Sequence, residues 1–374
     1  MKIAIYNPHM APNIANMGIH NYIINLIRDG HTPYIFIDQI DKNYTKTVIK
    51  RLISHLPIQL FDTPIHLNGA EKIPWLESKL IFSRKRLNSE CDVLISFNTH
   101  HKERSVSRAV KAFPGLKIWH VGDYFWNEAG SIINKRLLDN GISHVMGYSS
   151  HDKHCEYFQK TFPAFEGKVI SVAFGYTKRF ENSINFDDRK NKSVGLGSVN
   201  PLRPLDHDIC NFRESADFYP DESWFHRGRR KLILNKKILS HTMDFMLPEF
   251  PKIKDFKYDL VEKFNEYKMF TSCESIFYFP SAKIYEGSAC GTVNICIEHD
   301  CNREFGFKDG VNCIMYEEGN VDSYIQQVEY YQNNQDKLKR ISVNAQKHVH
   351  DNFRHEMVAQ NIIKSIKDVY QNNV

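Results

Sequence analysis

The chain alternates short apolar runs with longer amphipathic stretches along most of its 374 residues. Short apolar runs, such as residues 2–6 and 92–97, are typical of buried parallel strands. Amphipathic stretches between such runs, such as residues 151–162, are typical of crossover helices. A chain that repeats this alternation forms parallel sheets covered by helices. The pattern therefore predicts an α/β fold.

The first half contains predicted strands at residues 2–6, 33–37, 92–97, 117–121, 144–148 and 169–174. Its predicted helices span residues 19–28, 44–55, 75–89 and 151–162. In the second half a strand opens at Val194, and further elements are predicted at residues 229–240, 242–247, 259–267, 275–279, 282–290 and 293–297. Of these, residues 242–247, 275–279 and 293–297 are predicted strands. Residues 321–374 predict helices broken near Asn333 and Asn352.

The length exceeds the size at which one hydrophobic core stops growing, so two domains are expected. Residues 179–193 are polar and charged, which favours an interdomain linker there. No apolar run approaches the roughly 20 residues of a membrane helix. The apolar run at the N-terminus stops at Asn7, too early for a signal-peptide core. A cytoplasmic location is therefore expected.

The net charge of +5 is too small to indicate a nucleic-acid-binding protein. Two local runs, residues 79–86 and 226–231, are strongly basic. Each run either forms a solvated helix face or holds an anionic lipid or a phosphate. The eight cysteines form no CxxC pair and match no common zinc spacing. They are predicted to be free thiols, mostly buried.

Ligands of open α/β sheets bind beyond the carboxyl ends of the strands, which directs attention to three loops. In the first, Gly18 opens a helix and either admits an anion or only shapes a turn. The second places His120 and Asp123 among aromatic residues at the end of a strand. Aromatic faces suit a sugar, and an imidazole or carboxylate can orient or deprotonate a hydroxyl. The alternative is a buried aromatic cluster with a hydrogen-bonded histidine.

The third loop leads into the helix predicted at residues 282–290, with Ser281 as a suitable N-cap. Lys283 and Glu286 lie three residues apart, so they share a helix face with Gly287. A lysine beside a helix N-terminus can hold a diphosphate, and a carboxylate one turn later can accept both ribose hydroxyls. The small residue Gly287 allows close approach of helix to sheet and of ligand to helix. The alternative is a surface Lys/Glu ion pair.

Residues 279–293, which include Pro280-Ser281 and Ala289-Cys290-Gly291-Thr292, resemble the donor half of GT-B glycosyltransferases of group 1 and family 4. Residues 304–316 and the helical tail resemble the same family. The resemblance implies two Rossmann-like domains facing across a cleft, residues 1–180 for the acceptor and 193–352 for the nucleotide-sugar donor. It also implies a final helix, residues 353–374, that crosses back to the N-terminal domain. Upstream, Gly18, His120 and Asp123 stand in register with the family.

The sequence also departs from that family. Retaining members carry a second glutamate eight positions before the ribose-binding one, and Tyr278 stands there instead. Residues 267–275 are similar to the donor motif of inverting fucosyltransferases, which makes Glu274 a candidate replacement. The resemblance implies catalytic roles for Asp123, His120 and Glu274. For the diphosphate it implies a basic residue after the first strand of the donor domain. The candidates are Arg203, Arg229 and Arg230, of which Arg229 and Arg203 are favoured over Arg230.

The predicted activity is transfer of a sugar from a nucleoside-diphosphate sugar to a glycan or lipid-linked acceptor, without metal or cofactor. One alternative is a metal-dependent GT-A enzyme that uses Asp206 and Asp208, which spell the Asp-x-Asp motif. Another is a two-lobed protein that binds sugar nucleotides without catalysis. A sugar-nucleotide epimerase on the same scaffold is a third. Peripheral association with the inner face of a membrane follows if the basic runs bind lipid.

Overall fold

The computed structural model describes residues 1–6, 34–36, 79–97, 108–121, 130–181, 183–199, 226–247, 258–273 and 277–373. The chain divides into two compact units. The first unit comprises Met1–Val172 together with His355–Val374, and the second comprises Ala173–Arg354. Each unit contains one parallel sheet.

The sheet of the first unit has the strand order β3-β2-β1-β4-β5-β6-β7, and all its strand pairs are parallel. Its strands are β1 Ile3–Tyr6, β2 Tyr34–Phe36, β3 Lys79–Ile81, β4 Val93–Phe97, β5 Leu116–His120, β6 His144–Gly147 and β7 Val169–Ser171. Its helices are α1 Arg84–Glu90, α2 Arg108–Ala112, α3 Gly130–Asp139, α4 His151–His154, α5 Glu156–Thr161 and the final helix α13 His355–Asn373. Helix α13 packs on β7.

The sheet of the second unit has the order β12-β11-β10-β8-β9 and is also parallel. Its strands are β8 Lys190–Leu196, β9 Met243–Met246, β10 Tyr267–Thr271, β11 Val293–Ile297 and β12 Ile314–Tyr316. Its helices are α6 Arg227–Leu234, α7 Lys236–Leu239, α8 Leu260–Glu266, α9 Ala282–Ala289, α10 Asp300–Arg303, α11 Val321–Gln332 and α12 Gln335–Asn352. Every residue of β10 and β11 is buried, because helices cover both faces of the sheet.

Two predicted elements are wrong. The helix predicted at residues 75–89 is replaced by β3 and α1, because residues 79–81 pair with β2 at the edge of the sheet. The strand predicted at residues 275–279 is also wrong, because residues 277–279 form no strand. The central strand of the second sheet is instead β10, which begins at the last residue of the helix predicted at residues 259–267. Tyr278 has φ +48°, which no strand residue adopts. Phe277 and Phe279 are buried in this loop, so the apolar run that predicted a strand is a buried loop segment.

The segment predicted as a linker, residues 179–193, is built into the second unit. Phe186 and Arg189 are buried there, and β8 already begins at Lys190. Residues 173–180, which the sequence assigned to the first domain, also group with the second unit. The backbone N–H of Tyr176 donates to the Phe353 carbonyl at 3.0 Å, and Arg179 pairs with Asp259. These contacts place the division at Val172 instead of residue 180.

The seven described cysteines are buried free thiols, as predicted, and Cys210 lies outside the described residues. In the described part of the chain, no helix combines the length and the apolar character needed to cross a membrane.

Candidate functional site

The carboxyl ends of β8 and β10 and the start of α9 form the candidate site of the second unit. Strand β8 ends at Leu196 and is followed by Gly197, whose φ is +119°. A Cβ atom added at Gly197 would lie 3.0 Å from the guanidinium carbon of Arg229. Glycine is therefore required at position 197 for two reasons: the backbone conformation there and the arginine that packs against it.

Arg229 projects from α6 and is only 6% exposed. Its Nη1 donates to the Ser198 carbonyl at 2.9 Å, and its Nη2 donates to the Cys273 carbonyl at 3.3 Å. Ser198 follows β8 and Cys273 follows β10, so one guanidinium joins the two loops. A buried guanidinium beside a glycine at this edge of a sheet presents positive charge to an incoming anion.

Lys283 lies in the first turn of α9 and is partly buried. Burial and the nearby charge of Arg229 lower the pKa of Lys283 to about 8, against the opposing effect of Glu286. His226, next to α6, has its pKa lowered well below the usual value by burial and then by Arg229 and Lys283. Positive charges thus crowd together at this edge, and an anion would relieve their repulsion.

Glu286 lies one turn after Lys283 on the same helix. Burial raises the pKa of Glu286, whereas the charges of Lys283 and then Arg179 act to lower it. Arg179 is paired with Asp259 at 2.5 Å. The carboxylate of Glu286 therefore lies within electrostatic reach of both Lys283 and Arg179.

Ser281 occupies the backbone position of an N-cap, with φ −73° and ψ 159°, but its side chain does not cap α9. Its hydroxyl lies 2.5 Å from the hydroxyl of Ser272, which follows β10. The side-chain cap expected from the sequence is therefore wrong, because the hydroxyl joins the helix start to the preceding strand. The first N–H groups of α9 have no acceptor within the helix, and they add to the positive potential at its start.

Gly287 faces the sheet. A Cβ atom added there would lie 2.5 Å from Phe270 and 2.9 Å from Phe264. The glycine allows α9 to lie close against β10, which is one of the two roles that the sequence suggested. This close packing fixes the helix that carries Lys283 and Glu286.

Three residues near this site were missed by the sequence argument: Arg179, His226 and Tyr258. Tyr258 accepts a hydrogen bond from the Gly197 backbone N–H, and burial raises the pKa of its hydroxyl. Only His226 had a sequence signal, because it begins the basic run. Arg179 was assigned to the linker and Tyr258 stands in no recognisable motif.

Tyr278 occupies the corner where the family resemblance places a glutamate. Its ring stacks on His299 with centroids 4.2 Å apart and an interplanar angle of 9°. Its hydroxyl donates to the Glu318 carboxylate, with oxygen distances of 3.1 and 3.2 Å. Tyr278 therefore holds the carboxylate of Glu318, which belongs to the loop after β12, near this position.

On the first unit, His120 ends β5 and is 1% exposed. Its ring lies edge-on to Tyr148 at 5.2 Å. The neighbouring His151 is also buried, and burial followed by the charges of His120 and His154 lowers its pKa to about 3. A Cβ atom at Gly147 would lie 2.4 Å from the ring of His151. The structure thus places His120 in a buried aromatic and histidine cluster.

Several candidate residues lie outside the described residues: Gly18, Asp123, Arg203, Glu274, and the pair Asp206 and Asp208. Arg230 is described and partly buried, whereas its neighbour Arg229 on α6 is deeply buried. Of the predicted donor-binding residues, the structure brings Arg229, Lys283 and Glu286 together. Among the residues it describes, no group of three or more His, Cys, Asp and Glu side chains could hold a metal ion.

Comparison with known proteins identifies the fold. Residues 253–364 match the family model described as "Glycosyl transferase-like". HepE from Anabaena, solved in complex with UDP, is 14% identical and has a TM-score of 0.56 over 98% of this chain and 100% of that one. A glycosyltransferase from Rickettsia africae is 13% identical, with a TM-score of 0.55 over 99% of both chains. Sucrose-phosphate synthase from Thermosynechococcus elongatus is 10% identical, with a TM-score of 0.54 over 100% of both chains.

A curated relative, the cell wall isozyme of β-fructofuranosidase from Pisum sativum, is 24% identical over 140 residues. The match spans 32% of this chain and only 24% of that relative. The structural neighbours therefore carry the comparison, and they show a GT-B fold. The predicted α/β architecture and the resemblance to GT-B glycosyltransferases are confirmed, and the single-domain GT-A alternative is wrong because each unit has its own parallel sheet. Similarity to fucosyltransferases stays a prediction.

Proposed function

We propose that the protein is a glycosyltransferase that takes its sugar from a nucleoside-diphosphate sugar bound to the second unit. The observation that carries this proposal is the convergence of Arg229, Lys283 and the first turn of α9 beside Gly197. Crowded cations at the carboxyl edge of a parallel sheet suit a diphosphate, and Glu286 suits the ribose. The family match to residues 253–364 covers Lys283 and Glu286 and supports the same assignment.

In the proposed reaction the bond between the anomeric carbon and the diphosphate oxygen breaks, and the diphosphate leaves with the electron pair. The acceptor oxygen forms the new glycosidic bond and loses its proton to a base. Arg229, Lys283 and the N–H groups of α9 stabilise the charge that develops on the leaving oxygen. They supply the stabilisation that a metal provides in other transferases, so we propose that the activity needs no metal or cofactor.

The acceptor is proposed to be a glycan or a lipid-linked saccharide held by the first unit. His120, Asp123 and Glu274 stay predicted catalytic residues. Gly18 and Arg203 stay predicted donor-binding residues. The transferred sugar is proposed to be a hexose or deoxyhexose. Since HepE was solved with UDP and with UDP-glucose, uridine donors are the first to test.

The first experiment screens UDP-, GDP-, dTDP- and CMP-sugars for protection against thermal unfolding. A donor that binds the native state raises the unfolding temperature, by mass action. Transfer is then measured with the selected donor, with and without EDTA. Protection without transfer to any glycan or lipid-linked acceptor would favour the alternative, a binding protein without catalysis. Loss of transfer in EDTA would overturn the proposal that no metal is needed.

The site assignment is tested with Lys283→Ala and Glu286→Ala. Each should lower kcat/KM by at least about tenfold, the effect of losing one charged contact in the transition state. Lys263 and Glu266 provide a matched control, because they form an ion pair with the same three-residue spacing on α8. Alanine at Lys263 or Glu266 should leave donor affinity unchanged. Equal effects of both pairs would mean that Lys283 and Glu286 act only on stability.

A further inference from the structure

The segment from His226 to Met243 contains six Lys and Arg residues and no Asp or Glu. It forms helices α6 and α7 and leads into β9, which lies at the edge of its sheet. A basic segment of this kind is a general feature of surfaces that meet anions. The arrangement of its apolar residues shows which anionic surface it fits.

The inward face of the two helices is anchored in the core. Arg229, Leu232 and Leu239 are buried, and Arg229 belongs to the donor site described above. At about 100° per residue, the side of α6 opposite Leu232 carries Leu234 together with Arg227 and Arg230, which are partly exposed. The outward side of α6 therefore combines two basic residues with one leucine.

Two aliphatic residues on this surface are exposed to solvent. Leu234 is 57% exposed and Ile238 is 50% exposed, four positions further along the chain. Lys236 and Lys237, between them, are also exposed. The ammonium group of Lys236 lies 5.6 Å from the ring centre of Phe245, which is partly exposed on the edge strand. Leu234, Lys236, Lys237 and Ile238, with Arg227 and Arg230, are called here the basic aliphatic surface.

Two acidic side chains on the neighbouring elements lie against a lysine or a histidine. Asp244 pairs with Lys192 at 3.0 Å, and Glu329 lies 2.9 Å from the His241 ring. Glu317, Glu318 and Asp322 line a shallow depression of about 400 Å³ together with Lys231 and Asn235. Lys231 is therefore set partly against carboxylates, and the net positive charge lies around Lys236 and Lys237.

We propose that the basic aliphatic surface docks the protein on an anionic lipid bilayer. Lysine and arginine side chains attract acidic headgroups, and aliphatic side chains between them enter the boundary with the acyl chains. A nucleic acid would account for the cations but leaves Leu234 and Ile238 exposed. The charge and the exposed aliphatic pair together favour lipid.

This inference goes beyond the proposed transfer reaction and does not depend on it. Bilayer docking requires no donor and no acceptor, so it is measured with the protein alone. If the protein also transfers a sugar to a lipid-linked saccharide, docking places the enzyme where its acceptor is. Failure to dock would leave the donor-site experiments unaffected.

The test is co-sedimentation of the full chain with vesicles of phosphatidylglycerol and phosphatidylcholine, compared with vesicles of phosphatidylcholine alone. We expect binding to the anionic vesicles that weakens as salt is added, because salt screens charges at the bilayer surface. Lys236→Gln with Lys237→Gln should weaken binding by about 25-fold, at about fivefold for each basic residue. Leu234→Glu with Ile238→Glu should abolish it.

The matched control is Val343→Glu with Lys347→Glu on α12. Val343 is 59% exposed and lies four residues from exposed Lys347, so two glutamates are introduced at the same spacing. The control lowers the net charge by three, against two in the Leu234 and Ile238 variant. This variant should bind anionic vesicles like the wild type. Circular dichroism and thermal unfolding verify that each variant is folded. Two results would overturn the proposal: equal binding to neutral vesicles, or equal losses in the control and in the Leu234 and Ile238 variant. A third would be preference for a DNA duplex that survives Leu234→Glu with Ile238→Glu.

Discussion

Donor affinity should fall as the pH rises above about 8, because Lys283 loses its proton there. Burial and the charge of Arg229 lower the pKa of Lys283 to about 8, whereas a lysine in an unfolded chain titrates near 10.5. A lowered lysine pKa means that the charged form predominates below pH 8 and disappears above it. A diphosphate binds the charged form, so binding raises the pKa of Lys283 and takes up a proton.

The size of the effect follows from the fraction of protein that is competent to bind. At about pH 9 only about one tenth of Lys283 is protonated, so the apparent Kd for UDP should be about tenfold higher than at neutral pH. The apparent Kd should rise toward tenfold per pH unit above about pH 8. Tyr258 stays neutral across this range, because burial raises the pKa of its hydroxyl.

Isothermal titration calorimetry with UDP measures this profile, and buffers of different ionisation enthalpy count the protons taken up. Lys283→Arg is the matched control, since arginine keeps its charge and its profile should be flat. Arg229→Gln should move the rise to higher pH, because it removes a charge that lowers the pKa of Lys283. The reasoning is refuted if the wild-type Kd does not change up to about pH 9.5, or if Lys283→Arg shows the same rise.

Three further predictions concern the stability of the second unit. Gly287→Ala should destabilise it by about 1–3 kcal/mol in urea unfolding because its methyl meets Phe270, and Phe270→Leu in the same chain should recover part of the loss. Arg189→Met should cost about 2–4 kcal/mol, because the buried guanidinium donates to the Cys290 and Ile184 carbonyls, which would lose their partner; a loss below 1 kcal/mol would contradict this. Tyr278→Phe and Glu318→Gln should each cost about 1 kcal/mol, and a double-mutant cycle should show coupling between them, whereas strictly additive losses would argue against the hydrogen bond.

The fold class and most elements were predictable from apolar periodicity. Helices α11, α12 and α13 begin and end within a few residues of the predicted breaks near Asn333 and Asn352. Strand β11 was predicted with its observed bounds, because a fully buried parallel strand is a short, continuous apolar run. Periodicity failed at β10, where Tyr267–Thr271 includes polar Lys268 and Thr271 and was assigned partly to a helix. Residues 267–271 form a strand because they pair with β8 and β11, which lie far away along the chain.

The candidate site was predictable where local chemistry carries it. Lys283 and Glu286 are three residues apart on one helix, so their proximity follows from helix geometry alone. Arg229 was favoured only as one member of a basic run. What distinguishes it is contact with the loops after β8 and β10, and such contacts between distant segments leave no local pattern. Arg179, Tyr258 and Glu318 were missed for the same reason.

Tyr278 and Glu318 meet although 40 residues separate them along the chain. One residue belongs to the loop before α9 and the other to the loop after β12, and each is positioned by the other. Loss of the tyrosine hydroxyl would release the carboxylate, and loss of the carboxylate would leave a strained tyrosine without its anchor. The two positions should therefore covary: in related sequences, residues 278 and 318 should change together or not at all.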